Sequence, residues 1–157
     1  MNQMSRLFAS LSVLSIDPKM DTFSERKRVQ KLVYLLDKVF GLDFGFRYNW
    51  YLHGPYSPTV TETIFDVVER GQIVETSPDV LSVADYRNIE RMKSFLGKDI
   101  DSNDRLELLV SLHFLMQRAK AKGVSQKDVI AFLKVKKPYF TDKEILEAID
   151  RLQTLKD

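Results

Sequence analysis

FGFRYNWYLHGPYSPTVTETIFDVVERGQIVET, residues 44–76, is the stretch whose reading decides the fold. Phe44, Phe46, Tyr48, Trp50 and Leu52 take its even positions; Gly45, Arg47, Asn49, Tyr51 and His53 take the odd ones. Successive side chains on a strand point to opposite faces, so this alternation predicts a β-strand with one buried aromatic face. At HGPYSP, residues 53–58, the Gly-Pro pair breaks the pattern. Ser57 is then placed to cap a helix, and Pro58 suits a first helical position, where no N–H is needed. Val60, Ile64, Val67 and Val68 mark one face of that helix, and Gly71 should stop it. Ile73 and Val74 in QIVET favour a short second strand, able to pair with the first as a small antiparallel ribbon. Helix, strand, turn, helix and strand in that order give a winged-helix-like arrangement.

Upstream, Met4, Leu7, Phe8, Leu11 and Leu14 recur at helical spacing, which predicts a helix over 3–16 ending before Asp17-Pro18. A second helix over 23–40 opens on Thr22 and Glu25, spaced as a capping box. Val29, Leu32, Val33, Leu36 and Phe40 form its stripe, and Gly41 its left-handed stop. SPDVLS, residues 77–82, reads as a linker, beyond which the chain reads as helix. Ser82 with Asp85 opens one helix and Gly97 closes it; residues 103–121 form another, apolar around most of its circumference. Ser125 with Asp128, and Thr141 with Glu144, open two more, separated at Pro138. The expected fold is mainly α, with a winged-helix-like lobe over 1–80 and a helical lobe over 81–157 packed on it, as two lobes or as one compact domain.

The chain has 157 residues with 44% hydrophobic side chains, enough to bury a core. Its 24 basic and 22 acidic residues leave a net charge of +2, too mild to imply nucleic acid without a local patch. Without cysteine there are no disulfides, thiol nucleophiles or thiolate metal ligands, which fits a cytoplasmic protein. RLFASLSVLSI, residues 6–16, is too short and too polar to span a bilayer and reads as amphipathic helix, with no membrane partner expected.

RVQKLVYLLDKVFG followed by FRYNWYLHGPYSPTVTETIFDVVERGQI resembles the Panacea-type domain family, which includes YwgA-like proteins and SocA-like antitoxins. The residues that carry the resemblance are Lys31, Leu32, Tyr34, Leu35, Gly54, Pro55, Val60, Gly71 and Ile73. They span roughly residues 25–75, and the later stretches LLVSLHFLMQ and KPYFTDKEILEAIDRL look like the helical extension of small members. Where many members carry Tyr before the Gly-Pro pair, this chain has His53. The resemblance implies a mainly helical domain that in part of the family acts as an antitoxin, neutralising a toxin by direct contact.

The residues themselves offer little chemistry. His53 beside the turn and His113 in an apolar helix are the two histidines, and they have no cysteine to share a zinc site with. Asp99, Asp101 and Asp104 lack the spaced oxygen ligands of a calcium loop, and the glycines are too scattered to cradle a phosphate. No metal or cofactor is therefore expected, and no enzyme activity. The odd face of the aromatic strand, with Arg47, Tyr51 and His53, continues to Tyr56 in the turn. Tyr and Arg are favoured where proteins touch, so these four are the expected contacts for a protein partner, a toxin being one candidate.

The alternative is a DNA-binding regulator of winged-helix type, with nucleic acid as the partner. Its groove-facing helix would be residues 58–70, whose polar positions are Thr59, Thr61, Glu62, Thr63, Asp66, Glu69 and Arg70. Three acids against one base would repel phosphate. Cations gather instead at Arg26, Lys27, Arg28 and Lys31, at Arg118, Lys120 and Lys122, and at Lys134, Lys136 and Lys137. Solvated helix faces account for each cluster equally well.

Overall fold

The computed structural model describes residues 3–19, 21–74 and 77–155. It is mainly α with a small antiparallel ribbon. The helices are α1 (Gln3–Val13), α2 (Phe23–Tyr34), α3 (Pro58–Val68), α4 (Val83–Leu96), α5 (Asn103–Lys122), α6 (Gln126–Lys136) and α7 (Asp142–Thr154). The strands are β1 (Asn49–Tyr51) and β2 (Gly54–Tyr56). Contacts group the chain into two compact units, residues 1–103 and 104–157. The sequence placed its linker at 77–82, but α4 clusters with the N-terminal elements. Arg6 of α1 makes a two-pronged ion pair with Asp85 of α4, at 2.8 and 3.2 Å, and donates to the Leu42 carbonyl at 2.7 Å.

The helix ends follow from local chemistry. Ser82 and Thr141 each form a complete capping box, with Asp85 and Glu144 returning a bond to the cap backbone. Thr22 accepts from the Glu25 N–H, while the Glu25 carboxylate accepts from Asp21, one residue earlier than a capping box requires. Gly41 takes φ +77°, a left-handed stop that a side chain would strain. Ahead of it, residues Leu35–Val39 widen into a π turn, with Phe40 N–H bonded to the Leu35 carbonyl at 2.8 Å.

The long aromatic strand is the main correction. Only residues 49–51 pair in a ladder; residues 41–48 form a loop. Asp37, in the π turn, accounts for this by supplying a buried carboxylate that competes for the backbone. It accepts from the N–H groups of Phe44 (2.8 Å), Gly45 (3.3 Å) and Phe46 (3.3 Å) and from the Tyr48 hydroxyl (3.2 Å). Parity still orders burial in part, since Phe44 is buried and Phe46, Tyr48 and Trp50 are half-buried. Leu52, expected in the core, lies at the hairpin tip and is 83% exposed.

The ribbon's second strand is also not the expected one. β1 pairs with β2 directly, Asn49 opposite Tyr56 and Tyr51 opposite Gly54, so the hairpin precedes α3 instead of enclosing it. A wing following α3 is not formed among the described residues: Ile73 and Val74 are outside any strand and Ile73 is 96% exposed. Glu75 and Thr76 lie outside the described residues. Leu52 and His53 form the two-residue turn, and Gly54 takes φ +103°, where L side chains are disfavoured.

Within residues 1–103 the core is built from Leu7, Phe8 and Leu11 of α1, Leu32, Val33 and Leu36, Val60 and Ile64 of α3, and Ile89 and Met92 of α4. Within 104–157, Leu106, Leu109, Leu133, Ile145 and Ile149 are buried. There Lys137, 1% exposed, pairs with Glu107 at 3.3 Å, and Glu107 also accepts from the Tyr139 hydroxyl. Burial, and then the Glu107 carboxylate, raise the Tyr139 phenol above its usual range. No described helix is long and apolar enough to cross a membrane.

Candidate functional site

A hollow of about 280 Å³ opens between α2 and the hairpin. From α2 it is lined by Phe23, Arg26, Lys27, Gln30 and Lys31; from the hairpin, by residues 51–56. The α2 contributors are spaced i, i+3, i+4, i+7 and i+8 from Phe23, the spacing of one helix face. They form a second face of α2, separate from its apolar stripe. Arg28 falls off that face and is held elsewhere, donating to the Ile100 carbonyl at 2.8 Å and to Asp101 at 3.0 Å.

Phe23 is the hub of the site. Its ring is 56% exposed, with the Arg26 guanidinium 5.8 Å and the Lys27 ammonium 5.1 Å from its centroid. Both lie within the roughly 6 Å range of cation–π attraction. The His53 ring meets it edge-on at 5.4 Å. On the hairpin, Tyr51 and Tyr56 pack edge to face at 5.3 Å, with Tyr51 45% exposed. The cations pass from exposed Arg26 through half-buried Lys27 to buried Lys31, which donates to the Lys27 carbonyl at 3.3 Å.

Gln30 joins the two walls. Its side-chain oxygen accepts from the Ser57 N–H at 3.1 Å; its amide donates to the Ser57 carbonyl and to the Thr61 hydroxyl, each at 2.8 Å. Tyr56 shares a 2.9 Å hydrogen bond with the same Thr61 hydroxyl. Ser57 sits at the N-cap position of α3 but its hydroxyl makes no capping bond. The expected Ser cap is thus replaced by a glutamine clamp on the backbone.

Behind the hairpin, Tyr48 packs edge-on against Tyr34 at 4.9 Å. Burial first, and then the Asp37 carboxylate, raise both phenols above their usual range, so they stay neutral, and the Tyr48 hydroxyl donates to Asp37. This backing positions the hairpin and takes no part in the hollow's lining.

Of the residues expected to touch a protein partner, Tyr51, His53 and Tyr56 meet in the hollow, while Arg47 is exposed outside its lining. Of those expected to touch nucleic acid, Arg26, Lys27 and Lys31 line the same hollow and Arg28 does not. The two groups, read from the sequence as separate surfaces, therefore largely form one. Phe23 and Gln30 were not singled out in the sequence, while Leu52 was expected in the core and Pro55 in the turn. Phe23 had a legible signal, an aromatic off the apolar stripe in a first turn and followed by two cations; Gln30 had none. His113, in α5, is half-buried and lies in the other unit. Among the described residues, no three His, Asp or Glu side chains group to hold a metal ion. No family model, curated protein or solved structure matches the chain.

Proposed function

We propose that this chain is a non-enzymatic interaction protein that binds a partner protein in the hollow between α2 and the hairpin, as an antitoxin binds its toxin. One observation carries the reading: exposed Phe23 and Tyr51 stand together with Arg26 and Lys27 around a concave surface. Aromatic and Arg side chains are the types that dominate binding energy between proteins. Arg47, exposed two residues before β1, is kept in this reading as a further candidate contact. The resemblance to Panacea-type proteins falls on the same segment and makes a toxin the first partner to try. The cysteine-free sequence suits a cytoplasmic setting. Catalysis is the weaker use of His53, because the described residues of the lining include no serine, threonine or carboxylate.

The test is co-expression with toxins encoded beside the gene. Rescue of growth is expected from the parent chain and is lost in folded Phe23→Ala and Tyr51→Ala variants. Rescue undiminished in both removes the hollow as the contact.

A DNA-binding regulator is the second reading, favoured by the meeting of Arg26, Lys27 and Lys31 in one hollow. Against it, α3 carries Glu62 and Asp66, and Arg70 is occupied by Asp66 at 2.9 Å. Duplex binding that falls steeply with salt supports this reading; no binding at low salt ends it.

A further inference from the structure

Among the described residues, the hollow's lining includes three cations and no carboxylate. Acids and bases nearly balance across residues 1–103, so the grouping is a local feature and not a consequence of overall charge. Cations set in a concavity with low-dielectric walls focus a positive potential, and a carboxylate entering it exchanges water for charged donors. Exposed apolar surface stands beside these cations: Phe23 is 56%, Tyr51 45% and Leu52 83% exposed. At about 280 Å³ the hollow is smaller than the roughly 300–1,000 Å³ clefts that enclose whole small-molecule ligands. It has room for one or two side chains of a longer chain.

We propose that the hollow takes a short acidic segment of a partner protein, a carboxylate set against Arg26, Lys27 and Lys31 and a neighbouring apolar side chain against Phe23, Tyr51 and Tyr56. This rests on the reading of the hollow as a protein contact and names the chemistry of its occupant. The arrangement suits a compact anion better than a polyphosphate. A nucleic-acid strand needs cations spread along its track. Here Arg28, which would lengthen the track, is held by Asp101 and the Ile100 carbonyl.

The full-length ¹⁵N-labelled chain is titrated with a blocked five-residue peptide alternating Glu or Asp with Leu or Phe. Its Gln and Asn counterpart, free glutamate and decathymidine are run in parallel. Shifts are expected at the amides of residues 23–31 and 51–56, with affinity for the acidic peptide about tenfold above that for the neutral one. Lys27→Gln and Phe23→Ala are each expected to weaken the acidic peptide about tenfold, and Lys98→Gln, an exposed lysine outside the lining, to leave it unchanged. Equal affinity for the neutral peptide overturns the acidic occupant while leaving the hollow a protein contact. Free glutamate binding as tightly as the peptide overturns it in favour of a small-molecule site, and tighter decathymidine binding in favour of single-stranded nucleic acid. No shift at the hollow with any probe overturns the inference, and if Phe23→Ala and Tyr51→Ala also leave toxin rescue intact, the underlying reading falls with it.

Discussion

Asp37 has a carboxylate with no solvent exposure, and four donors from the following loop converge on it. A buried donor stripped of its acceptor costs far more than an average hydrogen bond contributes. Asp37→Ala is therefore expected to lower stability by about 2–4 kcal/mol, read from the urea midpoint, with the 44–48 amides losing exchange protection first. Asp85 makes a different prediction, in pH. Burial alone would raise its carboxyl, but the hydrogen bonds from Arg6 and Ser82 and the Arg6 charge outweigh it and hold the group below its usual range. The unfolded chain then takes up the proton first as pH falls. The stabilisation is complete above about pH 4 and is lost on acidification through the folded-state value. Glu144, held low by the Thr141 backbone and hydroxyl, adds in the same direction. The thermal midpoint should fall as pH is lowered below about 4, and Asp85→Asn should flatten part of that slope.

At the scale of elements, α2 carries two faces with different tasks. Every residue from Val29 through Asp37 is buried, including Gln30 and Lys31, so this later part of the helix is enclosed around its circumference, while residues 23–28 are exposed or half-buried. Its apolar face builds the core; its other face lines the hollow and, through Gln30, fixes the turn that starts α3. Removing the clamp takes away the Gln30 acceptor of the Ser57 N–H and leaves the Ser57 carbonyl with the Val60 N–H at 3.1 Å. Gln30→Ala is expected to cost about 1–3 kcal/mol, and hydrogen exchange should accelerate at Ser57 and the first turn of α3 while α1 is unaffected. Uniform acceleration across residues 1–103 would show that the clamp stabilises the unit as a whole and does not act locally.

At the scale of the whole molecule, the chain forms two compact units, residues 1–103 and residues 104–157. Ile64 in the first and Leu133 in the second are each completely buried. Truncating either to Ala should cost about 3 kcal/mol, from lost transfer energy and the cavity left behind. If the units open separately, faster exchange in Ile64→Ala will be confined to residues before 104, and in Leu133→Ala to residues after 103. Acceleration in both units from either variant would show that the chain unfolds as one cooperative body.

Helix boundaries were legible because their causes are local. Ser82, Thr141, Gly41 and Gly97 act within one turn of the backbone they cap, and three-residue spacing is enough to see them. The candidate site was legible in halves: Tyr51, His53 and Tyr56 by their alternation and turn, Arg26, Lys27 and Lys31 by their charge. That the halves meet was not, since nothing short-range relates residue 27 to residue 53. The loop at 44–48 was misread for the same reason. Alternating aromatics carry a strand's burial pattern, but whether their N–H groups find a neighbouring strand or the carboxylate of Asp37 depends on what the fold brings beside them. The sequence by itself thus determined which segments are helical, where they stop and that the chain is mainly α. Only the tertiary structure decided which strands pair, which cations share a hollow with the aromatics, and which polar groups are buried, because each depends on contacts between residues far apart in the chain.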